Sequence, residues 1–154
     1  MNLSSASFRE KSAWITLGVL LVVFVPYFSF IFQLFAAERL LAGAVLGAFV
    51  AATVFMILLE SVSHIALAIC SRSEHQDERD RAIELKSFRV AYGILAVTAF
   101  CAIGAIVLLA LSYGDSPVVP WLAPVFLSQV FFFCFVLAEV GKYLTQAICY
   151  RRGS

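Results

Sequence analysis

Two glutamates stand where a carboxylate is costly. Glu60 interrupts the apolar run 40–70 and Glu139 the run 120–150. Each has polar company one turn on: His64 four residues after Glu60, Lys142 and Tyr143 three and four residues after Glu139. An ionised carboxylate facing lipid costs about 2.5–3.5 kcal/mol on insertion scales, so both acids are expected to turn inward. Three chemistries would make them tolerable. They can keep a proton, because loss of water disfavours the charged form. They can pair with a base, either Lys142 or Arg89. Or they can bind a proton or cation jointly, with His64 as a third ligand.

Other chemistries lack their residues. Di-iron bundles use Glu-x-x-His spacing on two helices with further carboxylates, whereas Glu60 and His64 are four apart and Tyr143 stands in the matching place. Haem between helices would want a second axial residue, and His75 lies in a charged connector. No Ser/His/Asp set, Cys/His pair or phosphate-cradling glycine loop is present, so the expectation is a non-enzyme with no cofactor and no metal. The net charge of +1 gives no reason to expect a nucleic-acid partner. The four cysteines form no C-x-x-C motif and read as packing residues, without disulfides.

The elements that must hold these residues come in two copies. Leu58-Leu59-Glu60 through Ala68-Ile69-Cys70 and Arg72 recurs as Leu137-Ala138-Glu139 through Ala147-Ile148-Cys149 and Arg151, 79 residues on. Earlier in each half, Lys11-Ser12, Ile15, Gly18 and Leu20 match Lys86-Ser87, Val90, Gly93 and Leu95 at an offset of 75. The four-residue difference fits a longer turn in the second half. The halves, about 9–72 and 84–152, read as a parallel tandem repeat of two-helix hairpins.

Composition sets the solvent. With 62% hydrophobic residues, 14% charged and a mean hydropathy of +0.96, 154 residues cannot hide their apolar surface from water, and lipid is the expected surrounding. The apolar runs predict four membrane helices, at about 14–35, 40–70, 90–113 and 120–150. The first is too long for the apolar core of a signal peptide. Pro26 should loosen it, Pro120 and Pro124 suit the first turn of the fourth, and Gly114-Asp115-Ser116-Pro117 marks a turn. Gly43 and Gly47, four residues apart, would let a second copy approach and make a homodimer seam.

The connector 71–89 holds five basic and five acidic residues. Ser73 with Gln76 suggests a capping box, and Asp77 with Arg81 a favourable i,i+4 pair. The expectation is a short helix, continuous or not with the one that follows. Lys and Arg gather in this connector and at the two chain ends, which by the positive-inside bias places both termini and the connector in the cytosol.

At Asp77-Glu78-Arg79-Asp80, followed by Ile83, Lys86 and Ala91-Tyr92, the chain resembles an uncharacterised prokaryotic family of small four-helix integral membrane proteins. They carry an acidic Asp-Glu-Arg-acid motif just before a membrane helix. The resemblance implies a cytoplasmic (inner) membrane location and no defined activity.

The expected fold is therefore an all-α, four-transmembrane-helix bundle with a pseudo-two-fold axis along the membrane normal. Two functions are open to it. One is a regulatory or interaction subunit presenting residues 72–89, with Asp77, Glu78, Arg79, Asp80 and Arg81 as the docking candidates for a cytosolic protein. The other is a small proton- or cation-coupled transporter, or a subunit of one, built on Glu60 and Glu139.

Overall fold

Apolar runs without strand periodicity satisfy their backbone internally as helices, and the computed structural model contains four. It describes residues 8–37, 41–70, 77–113 and 124–152. Helix α1 spans Phe8–Ala36, α2 Ala42–Cys70, α3 Glu78–Tyr113 and α4 Pro124–Arg152. All four are long and apolar enough to cross a membrane. At 29 residues each, α1, α2 and α4 measure about 44 Å, and α3, with 36 residues, about 54 Å. The hydrocarbon layer is about 30 Å thick, so α3 has several turns to spare.

The first helix starts before its expected span, and the connector takes the continuous one of the two forms left open. Residues 8–13 belong to α1 and 78–89 are the first turns of α3, because charge ends a membrane span without ending a helix. Acidic residues in the first turn (Glu10 in α1, Glu78 and Asp80 in α3) suit the positive end of the helix dipole. The Ser73/Gln76 cap, Pro120 and the 114–117 turn lie outside the described residues. Instead Asp77 caps α3: the Asp77 N–H donates to Asp80 Oδ2 at 3.1 Å, and Asp77 Oδ1 accepts from the Glu78 N–H at 2.7 Å. The first bond is the back-reaching half of a capping box, with aspartate in the reaching position, while the Asp80 N–H donates to the Asp77 carbonyl. Pro124 opens α4, where its missing N–H costs nothing. Helix α1 runs on through Pro26.

The helices stand in a row, α2–α1–α4–α3, and α2 and α3 share no comparable interface. A pseudo-two-fold bundle would have closed that contact as it closes α1 on α4. The reason lies in the side chains. Phe24, Tyr27 and Phe28 of α1 interlock edge-on and tilted with Phe132 and Phe133 of α4, and Phe35 stacks on Phe126. At the 75-residue offset α3 offers Ala99, Ala102 and Ile103 in place of Phe24, Tyr27 and Phe28, so it has no rings at the positions that would build a second such interface. The core accordingly gathers on α1, where Leu20, Val23, Phe24, Tyr27 and Ile31 are buried against Val45 of α2 and Val136 of α4.

Helix α4 reaches α3 through small residues. Cys134, Ala138, Ala147 and Cys149 are buried, and Gly141 leaves the space that Ile94 of α3 fills. Cys101, Cys134 and Cys149 are free thiols. The outer faces are apolar: Val50, Val54, Leu58 and Val62 on α2 and Val97, Phe100 and Val107 on α3 are all exposed. Along the spans, Thr53, Thr98 and Thr145 turn their hydroxyls onto carbonyls of their own helix, which removes the cost of a bare polar group.

Candidate functional site

Glu60 and His64 occupy one face of α2, the face turned to α1. There they meet Thr16, which is 2% exposed. Thr16 Oγ1 lies 3.2 Å from His64 Nε2 and 3.5 Å from Glu60 Oε1, and His64 Nε2 is 3.7 Å from Glu60 Oε1. The hydroxyl has one proton to give. When it donates to Glu60, His64 must carry a hydrogen on Nε2 and donate to Thr16, so the three form one small network. Glu60 and His64 keep about a third of their side-chain surface exposed.

Glu139 is held differently. Glu139 Oε2 accepts from Lys142 Nζ at 2.7 Å, one turn along the same helix. The ammonium lies 4.5 Å from the Tyr143 ring centroid and 5.1 Å from that of Phe88 on α3. A carboxylate on one side and two aromatic faces on the others stabilise a cation that is only 13% exposed. Where α1 supplies Thr16, the offset of 75 puts Ala91 in α3, which has no hydroxyl to offer. Glu60 thus draws on an interhelical hydroxyl and Glu139 on a lysine of its own helix.

The five candidates within the apolar helices therefore form two sets, Glu60–His64 and Glu139–Lys142–Tyr143. Among the described residues no hydrogen bond or ion pair joins Glu60 to Glu139, and no group of three His, Cys, Asp or Glu side chains could hold a metal ion.

The charged end of the molecule is built around Asp80. Besides capping α3, its Oδ2 lies 3.1 Å from Arg9 Nε of α1. One turn further along α3, Ile83 is buried. Ser87 is fully buried, donates to the Glu84 carbonyl and accepts from Gln146 Nε2 of α4 at 3.1 Å. The first turns of α3 are thus tied to both neighbours. Of the docking candidates, Asp80 faces inward, whereas Asp77, Glu78, Arg79 and Arg81 are exposed. Exposed Leu85 and Phe88 sit among the charges. Below them Arg9, Ser12, Glu84, Lys142, Gln146 and Tyr150 line a mostly polar cavity of about 460 Å³ between α1, α3 and α4.

Sequence reasoning missed Thr16, Arg9, Gln146 and the buried pair in which the Tyr27 hydroxyl donates to Gln129 Oε1. Gln129 did carry a signal, as an amide inside the apolar run of the fourth helix. No protein-family model, curated protein or solved structure matches the chain.

Proposed function

We propose that the chain is an integral membrane protein that acts as a non-enzymatic interaction subunit, presenting the first turns of α3 to a cytosolic protein. Both termini lie in the cytosol, the membrane is a prokaryotic cytoplasmic membrane, and the two hairpins derive from one duplicated unit. The carrying observation is the join between platform and span. The charged turns continue a helix apolar enough to cross a membrane, are capped by Asp77 and are tied to α1 through Arg9 and Asp80. Exposed Glu78, Arg79 and Arg81 therefore have a rigid mounting, which lowers the ordering cost of binding. The separate partners of Glu60 and Glu139 support a structural role for both acids.

Charge reversal tests the proposal. The triple variant Glu78→Lys, Arg79→Glu, Arg81→Glu keeps helix content and detergent-solubilised size but loses any stoichiometric partner that co-purifies with the wild type. Retention of that partner by the variant contradicts the proposal.

The Glu60–His64–Thr16 network favours a second reading, a proton- or cation-coupled transporter subunit, because it sets two titratable groups side by side in an apolar span. Under that reading Glu60→Gln suppresses pH-driven flux in proteoliposomes, and Glu139→Gln does likewise. Under the interaction reading neither variant alters flux.

A further inference from the structure

The cavity at the charged end is walled by side chains of both signs, among them donors whose hydrogen-bonding capacity is only partly used. We propose that it holds the headgroup of a phospholipid bearing one phosphodiester and a primary amine. The inference rests on the membrane reading above, which sets the ends of α1, α3 and α4 at headgroup depth.

The donors come first. Arg9 uses Nε on Asp80 and a further N–H on the Tyr150 hydroxyl, and the others of its five N–H groups remain to bind a phosphate oxygen. Lys142 gives two of its three N–H bonds, to Glu139 and Tyr143, and Gln146 one of two to Ser87. Each therefore has a donor left, and all three line the cavity.

Charge then narrows the ligand. Of the lining residues Arg9 and Lys142 are cationic and Glu84 anionic, but Asp80 and Glu139 already offset both cations. The five charges sum to −1, so an anion alone meets repulsion there, and more so a dianionic phosphomonoester than a phosphodiester, whereas a phosphodiester that carries its own ammonium is neutral overall. Glu84, exposed at the rim, is the acceptor for an ammonium that can donate N–H bonds. A choline headgroup has no such bond to give, and a glycerol headgroup has no positive charge. Phe8 and Phe88 supply apolar wall for the glycerol esters. At about 460 Å³ the space falls within the range of small-ligand sites.

The test uses the full chain in nanodiscs of phosphatidylcholine doped equally with phosphatidylethanolamine and phosphatidylglycerol, with retained lipid read by native mass spectrometry. Phosphatidylethanolamine should be retained about tenfold over either competitor, the lower end of what one hydrogen bond to a charged group supplies. Lys142→Met would orphan Glu139 and disturb the fold, so the deciding variant is the exposed Glu84→Gln. It should abolish the preference while leaving the helix content unchanged. Equal retention of the three lipids, or a preference that survives Glu84→Gln, overturns the proposal. So does displacement of the lipid by excess soluble phosphoethanolamine, which would make the site one for the free headgroup. Failure to enter nanodiscs would overturn the membrane reading as well, whereas entry without preference overturns only the headgroup site.

Discussion

Asp80 and Arg9 meet at 3.1 Å across the gap between α3 and α1, and the same Asp80 carboxylate closes the first turn of its own helix on Asp77. One side chain thus starts a helix and fixes where it points. This gives the Asp-Glu-Arg-Asp sequence a division of labour. Its first and last residues build the helix end, and its middle two face solvent.

Replacing Asp80 with Asn should loosen the platform without unfolding the bundle. A cap is worth about 1 kcal/mol and a partly exposed ion pair at most about 1 kcal/mol. The N–H groups of residues 78–83 should exchange severalfold faster with deuterium, while those of α4 keep their protection. Unchanged exchange at 78–83 would show that the contacts to Asp80 do not hold the turn.

Thr16→Val keeps shape and removes the hydroxyl between Glu60 and His64. Loss of that hydroxyl should destabilise the fold by about 1–2 kcal/mol, read as a lower melting temperature in a fixed detergent. Thr53→Val, which removes only a bond to its own helix, serves as the control and should cost less.

Lys142→Met removes the cation that neutralises Glu139. The orphaned carboxylate should cost about 1–3 kcal/mol, below the range for fully buried pairs because Glu139 keeps some exposure. Adding Glu139→Gln should recover most of the loss. A double-mutant cycle with no coupling would mean that Glu139 draws its support from elsewhere.

Gly141 is the close point of α3 on α4. A Cβ added there would lie 2.2 Å from Cδ1 of Ile94, the movable end of a side chain, so Gly141→Ala should be mild. Gly141→Leu has no comparable escape, and overpacking of about 1–3 kcal/mol is expected. Pairing it with Ile94→Ala should relieve the strain, and a cycle of thermal melts would measure the recovery.

Four long helices were legible because an apolar run of more than about 20 residues admits few other structures. Their ends were less so. Residues 8–13 and 78–89 carry the charges that mark a membrane boundary, but a helix passes such a boundary without interruption. The open row was hidden for a different reason. The repeat suggests symmetry, and only the exchange of Phe24 and Tyr27 for Ala99 and Ala102 argues against a second ring-filled interface. At the site, the three-residue spacing of Glu139 and Lys142 pointed to their pairing. Thr16 gave no such sign. Helical threonines commonly bond their own backbone, as Thr53, Thr98 and Thr145 do, and sequence does not separate the one that reaches across to another helix.

The interaction reading stands on the outward side chains of the first turn of α3, and photo-crosslinking in intact membranes tests them most directly. A crosslinking residue at position 79 should give one discrete protein adduct. The same residue at position 62, on the exposed apolar face of α2, should give none, and Glu78→Lys with Arg81→Glu should erase the adduct at 79. No adduct at 79, or one that persists through both charge reversals, would contradict the account.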